Sequence, residues 1–194
     1  RSGNVVVTGT SQGETGVGCY TAKYAAATGA LVWEQRYSGP TNGEATPRAL
    51  AADQNSNVVV TGWESGPSQE RRTYTVKYAK ADGRLLWENH SPAMTVGVHV
   101  DGSGNVITTG TFPVEGGLND FYAIKYAATD GAVLWERRYH DRADSGYDVA
   151  ASAVDRNGNV VVTGPGKTVE FAAADGRLIW ERATPFNVQA IAVD

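Results

Sequence analysis

One segment recurs four times, and no other feature constrains the fold as strongly. Gly3-Asn4-Val5-Val6-Val7-Thr8-Gly9 returns at residues 56–62, 104–110 and 158–164 of the 194-residue chain. The repeated Asn is spaced by 53, 48 and 54 residues, a period that belongs to stacked or radially arranged supersecondary units. Each unit is a series of short Val, Ile, Thr, Tyr and Trp-rich runs broken by Gly, Asn, Asp and Pro, which is strand chemistry rather than helix chemistry. The second unit reads as four strands, A to D, at residues 49–52, 57–61, 74–79 and 84–88. Asp-Gln-Asn-Ser-Asn from residue 53 and its equivalents from residues 101 and 155 supply tight A–B turns, since Asp, Asn and Gly cap or tolerate turn backbones.

Four β-strands per unit at this period predict a four-bladed β-propeller. The units fall at about 1–48, 49–96, 97–149 and 150–188, with residues 189–194 completing the first blade. Gln189-Ala190-Ile191-Ala192-Val193-Asp194 matches strand A up to its turn Asp, and Arg1-Ser2-Gly3-Asn4 matches the rest of that turn. C-terminal strand A is therefore expected to pair with N-terminal strand B and remove an exposed sheet edge. A closed monomer is favoured, with an exchange of ends that builds an eight-bladed ring from two chains as the alternative. The fourth unit is short because Pro165-Gly166-Lys167 replaces a long B–C loop.

C–D turns carry Thr28-Gly29, Asp82-Gly83, Asp130-Gly131 and Asp175-Gly176. Taken as two-residue turn centres, they predict the cross-strand pairs Lys23–Glu34, Lys77–Glu88, Lys125–Glu136 and the like-charged Glu170–Glu181. Trp33, Trp87, Trp135 and Trp180 repeat on strand D, and Tyr24, Tyr78, Tyr126 and Phe171 on strand C. Large rings at one repeated position are expected to pack blade against blade.

The run Asn57-Val58-Val59-Val60-Thr61-Gly62, then Tyr74-Thr75-Val76-Lys77-Tyr78 and Gly83-Arg84-Leu85-Leu86-Trp87, resembles the bacterial SBBP-type β-propeller repeat over essentially the whole chain. The Gly-x-x-x-Trp piece of strand D is also similar to the tryptophan-docking repeat of quinoprotein propellers. The first resemblance implies a secreted or surface-exposed bacterial scaffold or interaction module without an assigned reaction. Quinoprotein dehydrogenases carry a calcium site and an axial Asp that find no counterpart here, so only the packing motif transfers.

The chemistry of the chain excludes several functions. A formal charge of −4 and a pI near 5.4 disfavour nucleic acid as a partner. No stretch approaches the roughly 20 apolar residues of a spanning helix, so no membrane insertion is expected. Cys19 stands alone, and His90, His99 and His140 have no metal-ligand spacing, so no metal or cofactor is expected. Asp53/Asn55/Asn57 and Asp155/Asn157/Asn159 superficially match a calcium loop, but Val58 and Val160 occupy the position where an EF-hand needs Gly. His99 takes a strand-A place held elsewhere by Ala and reads as a satisfied interior side chain. A glycosidase-like, carbohydrate-active enzyme would need paired loop carboxylates, and Glu44, Asp144 and Asp148 are the candidates.

The A–B and C–D turns are near-identical between units, whereas the B–C and D–A connections differ in each and share one face. Function on a repeated scaffold is expected where the copies diverge. That face carries Trp63, the one Trp outside the repeat, with Glu64, Arg71, Arg72, Phe112 and Tyr147. Aromatic and Arg side chains suit protein or glycan contacts. The sequence therefore predicts a non-catalytic binding or structural module, extracytoplasmic by its family resemblance.

Overall fold

Val, Thr and Tyr-rich runs form strands wherever Gly, Asn and Asp turns interrupt them, and the turns recur in register with the repeat. The computed structural model describes residues 3–13, 16–39, 44–65, 71–114, 119–140, 148–185 and 188–194. Contacts divide the chain into two units, Arg1–Pro92 and Ala93–Asp194. The first holds a sheet of β1 (Val5–Gly13), β2 (Gly16–Tyr24) and β3 (Leu31–Tyr37), and a second of β4 (Glu44–Ala52), β5 (Val58–Ser65), β6 (Arg71–Tyr78) and β7 (Leu85–Ser91). The other unit holds β8 (Met94–Val100), β9 (Val106–Pro113), β10 (Asn119–Tyr126) and β11 (Val133–Tyr139), then β12 (Ala151–Val154), β13 (Val160–Gly164), β14 (Gly166–Phe171) and β15 (Leu178–Thr184). Every pairing is antiparallel between sequence neighbours. Among the described residues no helix is long and apolar enough to cross a membrane.

The first sheet differs from the expectation. It has three strands, and residues 188–194 form none, so the strand A foreseen from 189–194 is not part of it. Val5 and Val7 are 54% and 44% exposed, where their repeat equivalents Val58 and Val60, packed against the first sheet, are 1% and 0%.

Strands also run further than the sequence suggested. Strand runs into 10–19, 63–72 and 111–120, expected as B–C loops, because ladder pairing continues to Gly13–Gly16, Ser65–Arg71 and Pro113–Asn119.

At the C–D turns, the backbone N–H of Ala25, Ala79, Ala127 and Ala172 bonds the carbonyl of the fifth residue on, at 2.8–2.9 Å. A bulge follows, so Lys23, Lys77, Lys125 and Glu170 lie opposite Trp33, Trp87, Trp135 and Trp180, not opposite the Glu residues. The expected Lys–Glu and Glu–Glu pairs are thus displaced by one residue, and one residue is enough to change the face on which a side chain lies. Lys shares a face with Trp instead. Lys23 Nζ and Trp33 Nε1 both donate to the carbonyl of Lys80, at 2.9 and 3.1 Å. Lys125 Nζ and Trp135 Nε1 do the same to Ala173, at 2.9 and 3.1 Å.

These contacts join one sheet to the next within each unit. Trp33, Cys19, Val58, Val60, Tyr74 and Val76 form one core; Trp135, Phe121, Val160, Val162 and Phe171 form another. Gly83 sits on the indole of Trp33, where a Cβ would come within 2.8 Å of the ring, and its φ of +71° places it in the left-handed region. Three of the four repeated Trp residues are buried, and Trp180 is half-buried.

Lys77 and Lys125 reach back to the A–B turn of their own sheet, where they pair with Asp53 and Asp101 at 2.9 and 2.8 Å. The same carboxylates accept the N–H and Nδ2 of Asn57 and Asn105. Turn capping and a buried ion pair therefore account for both residues of the repeated Asp-x-x-x-Asn. Burial alone would raise the Asp53 and Asp101 carboxyls, but hydrogen bonds from the Lys and Asn side chains hold them below the usual range.

Two predictions follow from this packing. Trp33→Ala removes a buried ring and the bond to Lys80, and a loss of about 3–5 kcal/mol is expected in urea titration. Because the two Asp values are depressed on folding, their contribution is complete above the unfolded value of about 3.9 and is lost as pH falls through the lower folded values. The stability of the native protein should therefore fall more steeply below about pH 4 than that of the Asp53→Asn/Asp101→Asn variant, in urea titrations at stepped pH.

Candidate functional site

The β5–β6 hairpin brings four of the sequence-predicted residues together. Register places Glu64 opposite Arg72 and Ser65 opposite Arg71, with Trp63 one residue earlier. The guanidinium of Arg71 lies over the Trp63 ring, 4.5 Å from its centroid. Glu64 is fully buried, and its carboxylate organises the neighbourhood. Arg72 Nε donates to Oε1 at 2.6 Å, His90 Nδ1 lies 3.0 Å from the same oxygen, and the Tyr37 hydroxyl lies 2.7 Å from Oε2.

Glu88 extends the cluster. Its Oε1 is 2.9 Å from His90 Nε2 and 2.9 Å from the Tyr37 hydroxyl, so the imidazole bridges two carboxylates. Burial first, and then the hydrogen bonds to Glu64 and Glu88, push the Tyr37 phenol far above its ordinary value, so it serves as a neutral donor.

Beside this network lies a cleft of about 490 Å³ lined by Arg71, Arg72, His90, Ser91 and Pro92. The buried Ser91 hydroxyl has no hydrogen-bond partner among the described residues. Its origin is visible in the repeat: Ser91 occupies the register position that Tyr37 and Tyr139 fill on β3 and β11, and His90 the position of Arg36 and Arg138. A ring is thus replaced by a hydroxymethyl group, which opens the space. His90, Ser91, Tyr37 and Glu88 were not singled out as site residues by the sequence reading; comparison of the four strand-D ends carries the signal.

The remaining candidates do not join this site. Phe112, on β9, carries the Arg138 guanidinium 3.2 Å from its ring centroid and packs on Tyr122. Tyr147 and Asp144 lie outside the described residues. Glu44 is exposed at the start of β4, and Asp148 accepts a 2.8 Å hydrogen bond from Asn119 Nδ2. His99 bonds Ser152 at 2.8 Å, and burial lowers its imidazole below the ordinary value.

Arg72 keeps part of its guanidinium free of Glu64, Arg71 is held flat by stacking, and paired guanidinium forks suit carboxylates.

The family model described as "Outer membrane protein assembly factor BamB" matches residues 18–193. The chain belongs to the BamB family. No match was found among the curated proteins. Among solved structures, BamB from Moraxella catarrhalis is 14% identical with a TM-score of 0.56, over 92% of this chain and 51% of that one. Quinohemoprotein alcohol dehydrogenase ADHIIG from Pseudomonas putida HK5 is 12% identical with a TM-score of 0.64, over 93% and 33%. The Cps50 (Swd1) β-propeller domain of Myceliophteria thermophila is 11% identical with a TM-score of 0.62, over 97% and 57%. These likenesses establish the β-propeller fold, with four blades in this chain. The BamB-family chain spans between a third and about three fifths of the lengths it matches. The family found is BamB, and the SBBP type of the sequence resemblance is not the one matched.

Loss of the Glu64 carboxylate would strand Arg72, His90 and Tyr37 around a buried site. Glu64→Ala is therefore expected to cost about 3–5 kcal/mol by urea titration, whereas Arg71→Ala at the exposed rim should stay within about 0.5 kcal/mol of the native protein.

Proposed function

We propose that this BamB-family chain is a non-catalytic, extracytoplasmic scaffold that binds protein segments carrying carboxylates. The observation that carries this reading is the cleft of Arg71, Arg72, His90 and Ser91, with Arg71 stacked on Trp63. Stacking holds the guanidinium with little remaining side-chain freedom to lose, so binding a carboxylate there costs less ordering than at an unrestrained Arg. Membership of a family described by outer-membrane assembly, and a relative named BamB, support a protein partner and a location outside the cytoplasm. On β15 the register position of Ser91 is held by Thr184, whose hydroxyl is bonded to Thr168 at 2.7 Å, whereas the Ser91 hydroxyl has no partner among the described residues.

The test is capture on a panel of immobilised peptides with acidic, neutral-isostere and basic side chains. Acidic peptides should bind, the binding should weaken with added salt, and Arg71→Ala or Trp63→Ala should each weaken it by about tenfold or more. Equal capture by the native protein and both variants would overturn the reading, as would retention on a glycan array with no peptide retained.

A further inference from the structure

The seam between the sheets of β8–β11 and β12–β15 departs from the repeat at four positions, and the four departures meet at one point. On β1, β5 and β13 a repeated Thr is paired with a second Thr on the next strand. The two hydroxyls bond each other, at 3.1 Å for Thr8–Thr21 and Thr61–Thr75 and at 2.7 Å for Thr163–Thr168. On β9 the equivalent Thr109 is paired with Ala123, and its hydroxyl turns instead to Ser152 on the next sheet, at 2.6 Å. Ser152 holds the register position of Leu50 and Val98, and its Oγ lies 2.8 Å from Nε2 of His99, which holds the position of Ala51 and Ala153. Gly97 stands where Ala49 and Ala151 stand, and a Cβ there would come within 2.7 Å of Ser152 Oγ and 3.1 Å of Thr109 Oγ1.

Packing does not require this set, since Leu50 or Val98, Ala51 and a Thr–Thr pair fill the corresponding positions elsewhere in the chain. What the exchanges create is a hydroxyl held between a donor and a base. With Thr109 donating to Ser152 Oγ and Ser152 donating to His99 Nε2, every hydroxyl proton has an acceptor; the reverse direction leaves the Thr109 proton none among the described residues. Burial lowers the His99 imidazole below its ordinary value, so at neutral pH the ring is uncharged and Nε2 can accept. Thr109 is buried, whereas Ser152 and His99 are half-buried and keep a path to solvent. A serine hydroxyl within hydrogen-bond reach of a basic imidazole is the pairing that turns a weak nucleophile into a reactive one.

We infer that Ser152 is a site of covalent acylation, its hydroxyl activated by His99 and positioned by Thr109, with an activated ester as the acyl donor. The bond from Ser152 Oγ to the carbonyl carbon forms as the bond from that carbon to the leaving alcohol breaks. The Ser152 proton passes to His99 Nε2 and from there to the departing alkoxide, so the imidazole ends neutral. An acyl group suits this place better than a phosphoryl group, because His99, Ser152 and Thr109 bring no positive charge with which to hold a phosphate. The site is separate from the Arg71–Arg72 cleft and does not rest on what that cleft binds.

The test is incubation of the 194-residue chain with p-nitrophenyl acetate, followed by peptide mass spectrometry that places and times each acetyl group. Ser152 should be acetylated faster than any other hydroxyl of the chain. His99→Gln, which keeps a polar side chain but no base, should slow acetylation of Ser152 by about a hundredfold. His99→Ala installs the residue that β4 and β12 already carry at this position, and should slow it likewise; it serves as the second variant should His99→Gln misfold by circular dichroism. Acetyl groups found only on residues other than Ser152 overturn the inference, and so does acetylation of Ser152 at the native rate in either folded His99 variant.

Discussion

Two donors on one carbonyl hold neighbouring sheets together. The indole N–H of a strand-D Trp and the ammonium of a strand-C Lys converge on the Lys80 oxygen in one unit and on the Ala173 oxygen in the other. A buried ammonium is costly unless its donors are satisfied. Lys125, for example, is satisfied on both sides, by the next sheet's carbonyl and by its own sheet's Asp101. This couples turn geometry, strand register and sheet packing: the bulge that sets Lys opposite Trp is what allows both to reach the same oxygen. It also explains why the turn residue beneath the indole is Gly, since a Cβ at Gly83 or Gly176 would enter the ring.

The β-architecture was legible because it is written four times. The repeated Trp, the Asp-x-x-x-Asn turns and the Asp-Gly pairs each point to one place in the blade, and the structure puts them there. The register was not legible. Asp-Gly is compatible with a two-residue turn and with the longer turn plus bulge found here, and a difference of one residue separates a surface Lys–Glu pair from a buried Lys–Asp pair. Nothing local to residues 77 and 88 distinguishes these; the partner that decides, Asp53, lies a strand away. The fourth strand of the first sheet was foreseen from the match of residues 189–194, yet sequence likeness to strand A does not itself supply a surface to pair with.

For the candidate site, divergence between copies was the useful signal, and it reached Trp63, Glu64, Arg71 and Arg72. It was read only in the connections. The ends of β3, β7 and β11 diverge too, and there the exchange of Tyr for Ser91 and of Arg for His90 creates the cleft. Glu64, expected as a surface contact, turned out to be the buried hub of the cluster, because its register beside Arg72 and its proximity to Tyr37 and His90 draw it inward. Binding and folding thus share a residue: the carboxylate that orients Arg72 toward the cleft also joins the first sheet to the second.

The sheet-to-sheet latch is tested most directly by indole N–H hydrogen exchange, resolved for each Trp by NMR. Trp33 and Trp135, buried and bonded through their N–H groups to the carbonyls of Lys80 and Ala173, should exchange only through opening of the sheet packing, orders of magnitude more slowly than Trp63 on the hairpin rim. Exchange of Trp33 and Trp135 at the rate of Trp63 would contradict the account.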